Sequence, residues 1–161
     1  MIIGVTGHRF YDEETAERLR SRVRDLLREW ADDGAVRLVS SLAEGADQLV
    51  ASIAVELGLP LEVVLPAEGY RESLDDGFEP EFDRLLAAAQ RVTTLEHAEP
   101  GPAAYLDAGQ RMLARSDMLL AVWDGEPARG TGGTAEIVAH ARTQGIDVHV
   151  LWPDGARRQR A

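Results

Sequence analysis

Six short runs of β-branched and large aliphatic residues, at 2–6, 36–40, 61–65, 91–95, 118–123 and 147–152, alternate with stretches whose apolar residues recur at helical spacing. Strands separated by helices cannot be joined as hairpins. Each crossover returns the chain to the same end of a sheet, which makes neighbouring strands parallel. After Asp12, Leu19, Val23, Leu26, Leu27 and Trp30 share one helical face, and Gly34 closes that helix. A second helix is predicted from about 45 to 57, stopped by Gly58 and Pro60. A loop at 66–80, rich in Gly, Asp and Glu, precedes a third helix carrying Phe82, Leu85, Leu86 and Ala89. A fourth helix is predicted over about 103–115 and a fifth from near Gly133. Right-handed crossovers then place helices on both faces. The expected fold is α/β, a Rossmann-like, open, mainly parallel twisted sheet with ligands at the carboxyl ends of its strands.

The length of 161 residues fits one domain, expected over 1–153, followed by a charged and frayed tail at 154–161 that contains Arg157, Arg158 and Arg160. No apolar run approaches the roughly 18 residues of a membrane span, and the opening residues do not read as a signal peptide, so a soluble, cytoplasmic protein is expected. The chain has no cysteine, which excludes disulfides, thiolate nucleophiles and Cys-ligated metals. All 17 basic residues are arginine, which removes Schiff-base chemistry and the lysine of a P-loop. The formal net charge of −11 disfavours nucleic acid as a partner, whereas a small anion can still be held by a few oriented amides and an arginine.

Three segments following strands have the residue types that cradle such an anion. The first, Gly4-Val5-Thr6-Gly7-His8-Arg9, offers a tight glycine turn and an arginine within reach of a phosphate, with Gly7, His8 and Arg9 as candidate binding residues. A turn with a surface arginine would read the same way. The second supplies Ser40, Ser41, Gly45, Ala46 and Asp47: hydroxyls, small residues entering a helix whose positive end faces the site, and a carboxylate suited to ribose hydroxyls. Asp47 could equally serve only the helix dipole. The third runs from Asp124 through a glycine-rich loop to Gly132, Gly133, Thr134 and Glu136. Amides of Gly132, Gly133 and Thr134 would converge on an anion there, while Glu136 would face a sugar hydroxyl or a water. Alternatively, this is a structural loop capped by Thr134.

His8, His97, His140 and His149 show no metal-ligand spacing, so no metal site is expected. No Gly-x-Ser-x-Gly elbow is present, and Asp75-Asp76 reads as a solvated loop.

These segments also carry a family likeness. Val39-Ser40-Ser41-Leu42-Ala43-Glu44-Gly45-Ala46-Asp47, a helix, the strand at 61–65 and Pro66-Ala67-Glu68-Gly69-Tyr70 resemble the core of the Smf/DprA DNA-processing proteins. Thr6-Gly7-His8-Arg9 stands where those proteins have a Gly-Ser-Arg-like turn. Gly132-Gly133-Thr134-Ala135-Glu136 is similar to the Gly-Gly-x-Gly-Thr-x-x-Glu loop of the LOG phosphoribohydrolases, although Ala108-Gly109 stand where those enzymes carry Arg-Lys. Together these resemble the SLOG superfamily, its YpsA-like branch in particular, over nearly the whole chain. The resemblance implies a Rossmann-like, often oligomeric protein that takes nucleotides or NAD- and ADP-ribose-type ligands. The expected function is therefore binding or sensing of AMP-, ADP-ribose- or NAD-type molecules by a homo-oligomer, with a nucleotide ligand and no further cofactor. N-glycosidic hydrolysis of a nucleoside monophosphate with Glu136 as the catalytic carboxylate is one alternative. A scaffold with a vestigial pocket is another.

Overall fold

The computed structural model describes residues 1–127 and 133–159. Its strands are β1 (Ile2–Gly7), β2 (Arg37–Ser40), β3 (Leu61–Ala67), β4 (Arg91–His97), β5 (Met118–Val122) and β6 (Asp147–Leu151). Between them run α1 (Glu13–Asp33), α2 (Ala46–Glu56), the single turn α3 (Tyr70–Ser73), α4 (Glu79–Ala88), α5 (Pro102–Arg115) and α6 (Thr134–Thr143). The strands form one sheet in the order β4-β3-β2-β1-β5-β6, and every neighbouring pair is parallel. This is the expected Rossmann-like α/β fold.

Period-two alternation sorts the core into two layers. Leu120 and Val122 of β5 join Ile3, Val5, Leu38 and the α1 residues Leu19, Val23 and Leu27 on one face. Leu119 and Ala121 pack on the other face with Met112 and Leu113 of α5 and Ile137 and Val138 of α6. A strand buried on both faces reads as a continuous apolar run, and Met118–Val122 is one. At the sheet edge β4 is largely exposed, which is why its sequence is polar. The α1 helix starts at Asp12, whose carboxylate accepts from the Thr15 amide at 2.8 Å, and Glu13 and Glu14 follow at its positive end.

Two segments differ from expectation. The loop predicted at 66–80 contains α3, entered through Gly69 at φ 79°, and already includes the start of α4, where Pro80 falls in a first turn that has no use for its missing amide. Pro66 also interrupts the β3–β4 ladder, whose register shifts between Leu65 and Ala67. The tail is the second difference. Residues 154–159 fold back onto the domain rather than fraying: the Gln159 amide donates to Phe10 O at 2.9 Å, Trp152 Nε1 to Ala156 O at 2.9 Å, and Arg18 to Asp154 O at 2.9 Å.

From β1 the chain steps outward through β2 and β3 to β4, then α5 carries it back across to β5 on the opposite side of β1. The loops leaving β1 and β5 therefore diverge. In an open parallel sheet such a switch point leaves a crevice at the carboxyl ends, the usual place for a ligand.

Candidate functional site

A cleft of about 310 Å3 occupies that crevice, at the lower end of the roughly 300–1,000 Å3 common for small-molecule sites. Of the candidate residues, Gly7, His8, Arg9, Ser41, Asp47, Gly133 and Thr134 line it, so parts of all three segments converge. Ser40, Gly45, Ala46, Asp124 and Glu136 are not among the lining residues. Gly132 lies outside the described residues.

The chain makes each turn for a local reason. Gly7 is a close approach: a Cβ there would stand 2.5 Å from Ala46 Cβ and 2.8 Å from Val122 Cβ, so only glycine lets α2 and β5 close on the end of β1. Gly45, at φ 79°, abuts the backbone of His8 and Arg9 in the same way, and the next amide, Ala46, donates to His8 O at 3.1 Å. Gly45 thus faces protein, not ligand. The Gln48 amide donates to Ala43 O at 3.3 Å, the Ala43 amide to Asp47 Oδ2 at 3.3 Å and the Leu42 amide to the wholly buried Ser40 hydroxyl at 3.1 Å. Leu42 itself takes a left-handed φ of 55°, with its side chain fully buried and its carbonyl accepting from Gln48 Nε2 at 3.1 Å. The start of α2 is closed by its own side chains.

Arg9 is also committed. Its guanidinium grips Glu44 with both prongs, Nε to Oε1 at 3.2 Å and a terminal nitrogen to Oε2 at 2.6 Å, and lies 5.0 Å from the Phe10 ring centre. Glu44 is 3% exposed and accepts a further bond from the Asp75 amide at 2.9 Å. Burial alone would raise its pKa, but the bonds from Arg9 and Asp75 outweigh that, and the carboxyl sits below its ordinary value. Asp47 has no cation to offset its burial. Desolvation, helped by the charge of Glu44 and opposed by the Ala43 amide, pushes it up to about 7. A carboxyl poised near neutrality therefore faces the cleft.

On the other side, His8 ties three strands together. Its amide donates to Val122 O at 3.0 Å, its Nε2 lies 3.1 Å from both the amide nitrogen and Oδ1 of Asp124, and its ring meets Trp152 edge-on at 5.2 Å. Asp124 is occupied as well, by His8 Nε2 at 3.1 Å and Arg158 Nε at 3.0 Å. Burial raises its pKa, but the Glu126 amide, His8 and Arg158 together bring it below the usual carboxylate value. Glu136 sits half-buried in the first turn of α6.

Sequence reasoning missed Glu44, Tyr105 and Arg158, all of which line the cleft. Glu44 stands within the segment already singled out, and its spacing before Asp47 was the available signal. The position of Arg158 depends on tertiary folding and left no local signal. Tyr105, 36% exposed, stands 6.2 Å from the buried Tyr70 ring and offers a flat apolar surface at the mouth. Among the described residues no group of three or more His, Asp or Glu side chains is placed to hold a metal ion, and no helix is long and apolar enough to cross a membrane.

No family model matches the chain, and no curated protein matches it. Solved structures do. DNA processing protein A from Helicobacter pylori, described for its single-stranded DNA binding mode, aligns over 98% of this chain and 68% of its own at 15% identity, with a TM-score of 0.68. DNA processing protein A from Streptococcus pneumoniae aligns over 95% of this chain at 14% identity and a TM-score of 0.68, and this chain spans half of its length. The Moco carrier protein from Chlamydomonas reinhardtii aligns over 93% of this chain and 75% of its own at 24% identity and a TM-score of 0.55. At such identities the likeness is one of fold, and it is the fold that the resemblance to the SLOG superfamily implied.

Proposed function

We propose that the protein binds a small phosphate-bearing nucleotide derivative, of AMP, ADP-ribose or NAD type, in the cleft between the ends of β1 and β5. The carrying observation is that Gly7–Arg9, Asp47 and Gly133–Thr134, from three separate strand ends, share one cavity at the topological switch point. The phosphate belongs at the start of α6, where Gly133 and Thr134 line the cleft and the helix dipole favours an anion. Asp47 would take a ribose hydroxyl and Tyr105 would give a base a surface to lie against, and both line the cleft. The SLOG resemblance and the shared fold support this reading. A DNA strand as ligand fits less well, because the chain carries a net charge of −11 and a strand brings many phosphates at once.

Thermal shift of the full chain with AMP, ADP-ribose and NAD, and with adenosine as the phosphate-free control, tests the proposal. Stabilisation by at least one phosphate-bearing ligand and less by adenosine is expected. A melting curve unmoved by all three would overturn it.

A second reading, hydrolysis of the N-glycosidic bond of a nucleotide, is favoured by the setting of Asp47: a buried carboxyl that lines the cleft with no cation beside it is pushed up to about 7, the acidity of a general acid or base at neutral pH. In this reading Asp47 takes the role first considered for Glu136. Free base released from AMP, abolished by Asp47→Asn and retained in Glu136→Gln, is its signature; no free base from the wild-type protein eliminates it.

A further inference from the structure

Burying a guanidinium is costly unless its donors are met, and a cleft-lining arginine with incompletely met donors is a site prepared for an anion. Arg158 answers that description. The segment after β6 carries it back over the domain, pinned on either side by the Gln159–Phe10 and Trp152–Ala156 bonds, so that its side chain is 9% exposed and lines the cleft with Gly133 and Thr134. One terminal nitrogen donates to Pro127 O at 2.8 Å. Its Nε lies 3.0 Å from Asp124 Oδ2 but is not aligned to donate to it, and among the described residues this buried nitrogen makes no hydrogen bond. Asp124 is meanwhile drawn on by His8 and by the Glu126 amide at 2.9 Å. Arg9, the arginine singled out by sequence, is by contrast already engaged fork to fork with Glu44.

We propose that Arg158, and not Arg9, is the arginine that binds the ligand's phosphate, turning its fork from Asp124 toward an anion seated at the start of α6, so that ligand binding fastens the segment 154–159 over the site. This rests on the nucleotide reading above for the identity of the guest, and on the Arg158 geometry alone for the anion. A planar fork meets two phosphate oxygens at once, which a lysine cannot do.

Calorimetric titration of the full chain with AMP, ADP-ribose, NAD, adenosine and inorganic phosphate tests it, comparing wild type with Arg158→Gln, Arg158→Lys and the exposed neighbour Arg157→Gln. Loss of a charge-assisted bond predicts roughly ten- to hundredfold weaker AMP binding in Arg158→Gln, a partial loss in Arg158→Lys, and adenosine affinity unchanged in both. Arg157→Gln should behave as wild type. AMP affinity unaffected in Arg158→Gln sinks the inference while leaving the nucleotide reading in place. Equal losses for AMP and adenosine also sink it, since they show a strut rather than a phosphate ligand. If wild type binds phosphate through Arg158 but ignores AMP, ADP-ribose and NAD alike, the inference stands and the nucleotide reading falls; if it binds none of the four, both fall. Should Arg158→Gln fail to fold, the lysine variant decides, with AMP affinity equal to wild type counting against the fork.

Discussion

Among the helices entered through a glycine, α2 and α6 use that glycine differently. At the start of α2, Gly45 adopts φ 79° against the backbone of His8 and Arg9, Ala46 bonds to His8, and Gln48 and Ala43 find acceptors within the turn. At the start of α6, Gly133 has an ordinary extended backbone, φ −76° and ψ 172°, and faces the cleft with Thr134. One turn is glycine because two pieces of chain touch there. The other is glycine where a guest would sit. A helix start is open to an anion only where it faces a cleft rather than packed chain.

The contrast is most sharply tested by placing a Cβ at each glycine. Gly45→Ala forces an L-residue into a glycine-only conformation and into the His8 and Arg9 carbonyl groups, and should cost roughly 3–6 kcal/mol in denaturant unfolding. A loss below about 1 kcal/mol would mean the α2 turn is looser than described. Next in size is the pH dependence conferred by Asp47. Its folded pKa of about 7 lies above the ordinary value of 3.8, so the native state keeps a proton that the unfolded chain releases. Its contribution is fully present below pH 3.8 and is lost as pH rises toward 7. The difference in stability between wild type and Asp47→Asn should therefore fall across that window and level off above it. A difference that is flat with pH contradicts the burial argument.

Smaller still is Arg9→Ala. It leaves the buried Glu44 carboxylate with backbone amides but no cation, and because Arg9 is 43% exposed, water offsets part of the loss; about 1–2 kcal/mol is expected by thermal or chemical unfolding. If Arg9 were instead the phosphate ligand, this variant would lose AMP binding with stability unchanged. The smallest stability effect belongs to Gly133→Ala, within about 0.5 kcal/mol, because its φ suits any residue. Its AMP affinity should fall nonetheless. Unchanged affinity would place the phosphate elsewhere.

The architecture was legible because its signals are local. Leu19, Val23 and Leu27 mark a face within one helix, and the run 118–122 marks a strand buried on both sides, so neither depends on knowing what packs against it. The site was legible only in part, since the same local signals, glycine, small residues and a carboxylate, describe both α2 and α6. What separates them is pairing at a distance: Arg9 with Glu44, 35 positions on, and Arg158 with Asp124. Arg158 read as part of a frayed tail for the same reason, because its ion-pair partner Asp124 and its acceptor Pro127 O belong to the loop after β5. Asp124 and Glu136 were singled out for chemistry suited to a ligand; one carboxylate is shared between His8 and Arg158, and the other is not among the cleft-lining residues.

Amide hydrogen exchange of the full chain with and without saturating AMP reads all these segments at once. Slower exchange should be confined to the ends of β1 and β2, the first turn of α6 and residues 154–159, the pieces that meet at the β1–β5 crevice. Protection confined to other surfaces, with these four segments exchanging as in the free protein, would contradict the account.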